Sequence, residues 1–561
     1  MIVKNEANNL AACLATVQDF VSEIIIVDTG STDRTVELAH SLGAKVKHFT
    51  WIDDFAAARN ESIKDAGGDW IFWMDADDRI SPQNLTRLKQ ALVLNQADAY
   101  LCSVVSPREQ SQSVVEHLRL FRNHLGLHFE RPLHETVLPV ADRLGLTLAR
   151  TNVVIDHSGY AIEAQDLQAK ARRNLGIIRQ CLAREPDNLH WRYHLGATLA
   201  VLEQYDEAIK EFELMVVSPP ATLNWDFDVY QAHVSLVGAY VELQRFDQAR
   251  SALKRALSVF PNRRHLTIMA GVFYLLQDEP ETAIQMLERA RTLSLDSDRV
   301  GQTWPTGKLE AELGFAYSLV GNLPQARQMY QKRLAQIGTS SIVVPPDMWQ
   351  EALSLFSKKA YEKVVEILEP VAQNDPAALR LLARAEQQRQ RWHSAARYFS
   401  QALALGEPLP GELTSLAEAV FRSGRPLSAR RLCQLDRSGD NYNADTLNLL
   451  GLVAMQQNEL EPALAHLVQA ILADPEHISA HHNLQQIAAA LQLSLPETIR
   501  QYGLRMLRQQ AHPSAAEAFA LLIDMCPSDA EAYKDLAVAL QGLGQEEEAL
   551  LAWQTAQRVV V

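Results

Sequence analysis

Small residues recur in this chain at a fixed interval. Tyr240, Ala249 and Ala256 find counterparts 34 residues on at Tyr274, Ala283 and Ala290. Leu382 and Ala395 return as Leu416 and Ala429, then as Leu450 and Ala463, while Ala515 and Phe519 return as Ala549 and Trp553. A period of this length fixes an architecture. Each unit is two helices that cross where Gly or Ala lets the backbones approach, and each unit packs on the next to form an α-solenoid. An undifferentiated helical bundle has no reason to repeat in register. The pattern fills residues 166–561 with about ten units, some degenerate. Irregular linkers are expected near Ser218–Asp226, Leu295–Thr306 and Ile337–Pro346. At 561 residues the chain is too long for one core, so a second domain is expected in front of the array.

Residues 1–165 have a different texture. The run Trp70-Ile71-Phe72-Trp73-Met74 reads as a buried strand and breaks off into Asp75, Asp77 and Asp78. Carboxylates packed at a strand end repel one another unless a cation sits there, and hard oxygen ligands suit Mg²⁺ or Mn²⁺ shared with a substrate phosphate. On its own, Asp-x-Asp is as well explained by a solvated turn. Its neighbours change that. A helix from Leu10 to Val21 precedes the strand Glu23–Asp28, and a helix from Arg34 to Leu42 precedes the strand Ala44–Phe49. A helix from Phe55 to Ala66 leads into the Trp70 strand. Strands alternating with single helices give βαβ units, hence an α/β domain with a Rossmann-like, mostly parallel sheet. Ligands bind such sheets at the carboxyl ends of strands, where Asn5, Glu6, Asp28 and Asp75 all fall.

Composition narrows the chemistry. A formal charge of −15 argues against a surface built for nucleic acid, since phosphate contacts need basic patches. The cysteines Cys13, Cys102, Cys181, Cys433 and Cys526 are scattered, which suggests reduced, buried thiols in a cytoplasmic protein, with no zinc site. No apolar run approaches the length of a membrane span. Neither a dinucleotide-type nor a Walker-type glycine loop is present. Met1-Ile2-Val3 reads as the tail of a first strand rather than its start, which leaves room for residues upstream.

Four ordered motifs carry a family resemblance: Val3-Lys4-Asn5-Glu6, Val27-Asp28-Thr29-Gly30-Ser31-Thr32-Asp33, Ala58-Arg59-Asn60 and Met74-Asp75-Ala76-Asp77. Together they resemble family 2 glycosyltransferases of the GT-A fold. The later units, above all Leu450-Gly451, Ala454, Ala463, Leu467, Ala470 and Asp474-Pro475, are similar to tetratricopeptide repeats. The resemblance implies a nucleotide-sugar donor, usually a uridine diphosphate sugar, and Mg²⁺ or Mn²⁺ as cofactor. Carried over, Asn5, Glu6, Asp28, Arg59 and Asp75 would bind the donor, and Asp75 and Asp77 the metal, with His157 as a further ligand candidate. Many members have a second acid where this chain has Thr29.

Transfer with inversion needs a base on the face away from the diphosphate. The acids available are Glu116, Glu130, Glu135, Asp142 and Asp156. Glu135 is preferred, with His134 as its orienter or as a phosphate contact, because Arg131-Pro132 restricts the backbone before it and a neighbouring metal or Arg131 can keep its carboxylate ionised. The repeats are expected to bring a protein or peptide acceptor or partner. A non-catalytic scaffold with a relic transferase domain is the competing reading. A nucleotidyltransferase is disfavoured because the glycine-rich basic loop after Val3 is missing.

Overall fold

The computed structural model describes residues 1–108, 111–157, 164–217, 226–294, 304–338, 344–436 and 442–559. The linkers expected near Ser218–Asp226, Leu295–Thr306 and Ile337–Pro346 lie largely outside these residues.

The N-terminal part alternates strands and helices: β1 Ile2–Val3, α1 Ala7–Leu14, β2 Ile25–Asp28, α2 Thr35–Ser41, β3 Lys45–His48 and α3 Phe55–Ile63. There follow β4 Trp70–Phe72, β5 Asp78–Ile80, α4 Pro82–Leu94, β6 Ala99–Arg108, β7 Ser111–Arg122, α5 Leu138–Arg143 and β8 Leu148–His157. β1, β2 and β3 form a parallel sheet with Val3 opposite Asp28 and Asp28 opposite His48. The domain is α/β as expected, but its sheet is mixed rather than mostly parallel. In the second sheet, ordered β4-β7-β6-β8-β5, only β6 and β8 run parallel. The cause is the long β6–β7 pair, in which two adjacent strands fold back on each other, so that β4 meets β7 antiparallel. Helix α1 stops at Leu14, earlier than its apolar spacing predicts, because the Thr16 amide and hydroxyl both bond back to the Cys13 carbonyl.

Two strand registers gather charged side chains around the end of the Trp70 run. Asp78 stands directly opposite His157 across the β5–β8 pair. The Trp73 amide donates to the Arg119 carbonyl, extending the β4–β7 pair by one residue and bringing Arg119 beside the acid run.

Helices α6 Ala164–Arg184, α7 Leu189–Val201, α8 Tyr205–Val217 and α9 Asp226–Glu242 begin the helical part, and every later regular element among the described residues is also helical. The repeat shows in its crossings. A Cβ on Gly196 would lie 2.6 Å from Phe212, on Gly314 2.9 Å from Tyr330, on Gly451 2.7 Å from Leu467 and on Gly503 2.8 Å from Phe519. In each case the large residue lies 16 positions after the glycine, so one unit's first helix is notched for its second. By contacts the chain forms two compact units, Met1–Ile268 with Ala290–Pro305, and Met269–Arg289 with Thr306–Val561.

Candidate active site

The acids that end the Trp70 run sit between two buried arginines. Arg59, on α3, donates from Nη2 to Asp75 Oδ1 at 2.6 Å and from Nε to Glu135 Oε1 at 2.5 Å. Helix α3 is fixed at its start by Asp54, whose carboxylate accepts the Ala57 amide. Arg119, on β7, reaches Asp75 at 3.5 Å and donates from Nη1 to Asp78 Oδ2 at 2.9 Å. Both guanidiniums lie over the Trp73 ring, at 4.4 Å for Arg59 and 3.8 Å for Arg119. One aromatic ring therefore contacts both of the cations that meet the acids.

Burial acts to raise the Asp75 pKa, but Arg59 and then Arg119 outweigh it and hold the carboxylate well below its usual range. Asp77 behaves in the opposite way: burial, then Asp75 and Asp78, raise its pKa, and His157 only partly offsets them. His157 bridges the two outer acids, with Nε2 3.2 Å from Asp77 Oδ2 and Nδ1 2.9 Å from Asp78 Oδ1. Its own pKa is raised, chiefly by the hydrogen bond to Asp78.

Asp75, Asp78 and His157 present ligand atoms all within 4.8 Å of one another. The metal set expected from sequence is Asp75, Asp77 and His157. Asp78 joins the cluster, and Asp77 meets it through His157. The donor set, carboxylates with one imidazole, is the chemistry that a hard divalent ion takes. Asp75 and Glu135 pair with Arg59, Asp75 and Asp78 with Arg119, and Asp77 lies beside His157, so four carboxylates gather at this end of the strand with ligand chemistry that suits a divalent ion.

The expected donor-binding groups of the first strand ends lie together. Asp28 is buried and accepts from the Gly30 and Ser31 amides, both at 3.1 Å, which closes the turn after β2. Asn5 takes the Thr32 amide on its side chain and gives its own amide to Ser31, with φ at 58°. The Glu6 amide donates to Thr35, and its carboxylate accepts from Asn9. The unusual Thr29 has a local reason, since its hydroxyl donates to the Val3 carbonyl at 3.1 Å, a bond that an ionised acid could not make.

The structure joins Glu135 to Asp75 through Arg59, so the arginine supporting Glu135 is Arg59 and not Arg131 as expected. His134 is not bonded into this group; its ring stacks on His194 of α7, 3.9 Å between centroids. Among the other acids considered, Glu116 pairs with Arg150 and Glu130 with Arg143, while Asp156 is exposed on β8. Asp78, named in the acid run but not among the expected ligands, and Arg119 are the residues the structure adds to the expected site. A signal existed for Arg119: a lone charge between Leu118, Leu120 and Phe121, all buried, has to meet an opposite charge.

Residues 1–150 match the model for glycosyl transferase family 2. The chain carries a family 2 glycosyltransferase domain. Residues 236–297 match a tetratricopeptide repeat model. The chain is 37% identical over 207 residues to the TPR repeat-containing protein Synpcc7942_0270 of Synechococcus elongatus, covering 36% of this chain and 51% of that protein. It is 31% identical over 216 residues to the SPbeta prophage-derived glycosyltransferase SunS of Bacillus subtilis, covering 37% of this chain and 50% of SunS. The chain thus spans about half the length of each. Among solved structures, that of MamA protein covers 33% of this chain and 91% of its own, at 18% identity and a TM-score of 0.19. No described helix of the family 2 domain or of the repeats is long and apolar enough to cross a membrane.

Proposed function

We propose that residues 1–165 transfer a sugar, with inversion, from a nucleotide diphosphate donor, a uridine diphosphate sugar in the first instance, to an acceptor. The acceptor on this reading is a protein or peptide recruited by the repeats of residues 166–561, in the cytoplasm. The observation that carries the proposal is the continuous chain Asp75–Arg59–Glu135, which ties an acid at the donor end to an acid in the later half of the domain.

Asp28, Asn5 and Glu6 line up at the ends of β1 and β2 to take the nucleoside. Asp28 spends acceptor positions on its own turn, yet a carboxylate has about four, which leaves capacity for a base N–H or a ribose hydroxyl. Asp75, Asp77 and His157, with Asp78 behind them, would hold Mg²⁺ or Mn²⁺. That ion would neutralise charge on the departing diphosphate. Arg119 and Arg59 fix the Asp75 carboxylate so that it does not rearrange during the reaction. Glu135, held at Oε1 by Arg59, takes the proton from the attacking group of the acceptor.

The test is a screen of nucleotide sugars with Mn²⁺, read as donor hydrolysis and transfer by the full chain. Turnover of at least one donor, abolished by Asp75→Asn, supports the proposal. Absence of turnover with every donor favours the scaffold reading.

A further inference from the structure

We propose that helices α6, α7 and α9 belong to the catalytic machinery, because they hold the loop that carries Glu135. This rests on the base role proposed for Glu135, and it makes the first repeat helices more than a recruiting module.

The loop Arg131–Glu135 is closed at its base by paired bonds between Glu130 and Thr136, at 3.0 and 3.1 Å. Inside it, Arg131 and His134 both have left-handed backbones, with φ at 77° and 55°. Two non-glycine residues in that region within four positions persist only where the surroundings impose them. The surroundings are the helices. Leu133 is buried against Ile177, Ile178 and Cys181 of α6 and Trp191 of α7. Arg131 Nη1 donates to His190 Nε2 at 3.3 Å, and His190 Nδ1 lies 2.8 Å from Asp228 Oδ2 on α9. Since a guanidinium can only donate, Nε2 is the acceptor and the ring proton of His190 sits on Nδ1, pointing at Asp228. His134 completes the clasp by stacking on His194 with the rings 21° from parallel. Three loop side chains that could move, at 131, 133 and 134, are each seated on the helices, and the next residue is Glu135.

His190, His194 and Asp228 are also close enough to hold a metal ion. Arg131 argues for the clasp instead, because its guanidinium already places a fixed positive charge against the His190 ring, 3.3 Å from Nε2, where a second cation would be repelled. His190 and Asp228 are therefore positioning residues.

The experiment uses the full chain. Asp228→Ala should speed amide hydrogen exchange at residues 130–136 by about tenfold or more, with β2 and β7 unchanged, because the loop opens locally. Unchanged exchange in the loop overturns the proposal. If Asp228→Ala does not fold, His194→Ala is read in the same way with the same two outcomes. In turnover, Asp228→Ala should lower kcat by about 10²-fold, the scale of an ångström of misplacement, at constant donor KM. Asp228→Asn, which keeps an acceptor for His190, should restore it. In a Glu135→Gln background the loss from Asp228→Ala should vanish, whereas additive losses overturn the proposal. A parent chain without transferase activity would remove the proposed sugar transfer, and the exchange measurement would still decide the clasp.

Discussion

The Arg119–Asp78 pair is the most severe test of how the site is built. The side chains are 2% and 0% exposed and 2.9 Å apart, so neither charge can recover solvent when the other is removed. Breaking a pair of this kind costs about 3–5 kcal/mol, because a buried charge is left uncompensated. Each partner here has a second contact: Asp78 keeps His157 at 2.9 Å and Arg119 keeps Asp75 at 3.5 Å. The lower end is therefore expected, about 3 kcal/mol each for Arg119→Met and Asp78→Asn. The double variant buries no unpaired charge at this spot, so it should cost less than the sum by about 2 kcal/mol or more, within the range measured for residues in contact. Since the chain forms two compact units, a global melt would blur the result. Native-state hydrogen exchange of the β7 amides reads the sheet domain by itself. Single-variant costs below about 1 kcal/mol, the size of a surface pair, or strict additivity would refute the reasoning.

Glu135→Gln can still accept from Arg59 and should fold and bind donor normally while transfer falls by about 10²–10⁴-fold; transfer at the parent rate passes the base role to another acid. The depressed Asp75 pKa contributes stability that is fully present above the unfolded carboxylate value of about 3.9 and is lost as pH falls through the folded value. Urea unfolding should therefore show an acid limb below about pH 4 that becomes shallower in Asp75→Asn. The raised His157 pKa has the opposite sign, with stability full below about pH 6.5 and lost as pH climbs through the folded value, and His157→Gln should flatten that limb. Gly196→Ala, which puts a methyl 2.6 Å from Phe212, should destabilise by about 1–3 kcal/mol, whereas Gly176→Ala, with nothing within 4 Å, should stabilise α6 by up to about 1 kcal/mol in chemical denaturation.

The repeats were legible because their packing rule is local and periodic: the small residues at helix crossings return every 34 positions, and at Gly196, Gly314, Gly451 and Gly503 the large partner stands 16 residues on. The Asp75 cluster was legible because three carboxylates ending a buried strand are physically expensive. What escaped was set by pairing between distant strands. Nothing in the β7 run says that it lies antiparallel to β4, so Arg119 could not be placed beside Asp75, nor the mixed sheet foreseen. Asp78 looked like the third acid of a turn, and only its register opposite His157 shows it to be buried. The partner of Glu135 was misassigned for a related reason. Arg131 is nearer in sequence, but its left-handed backbone and its bond to His190 belong to a loop seated on α7, while Arg59 comes from a helix 76 residues earlier.

The central claim is a donor site that works through a divalent ion held at the end of the Trp70 run. Titration calorimetry of the full chain with uridine diphosphate, in Mn²⁺ and in excess chelator, tests it most directly. Binding is expected in Mn²⁺ and is expected to disappear with chelator and in Asp75→Asn. Equal affinity in both buffers would contradict it.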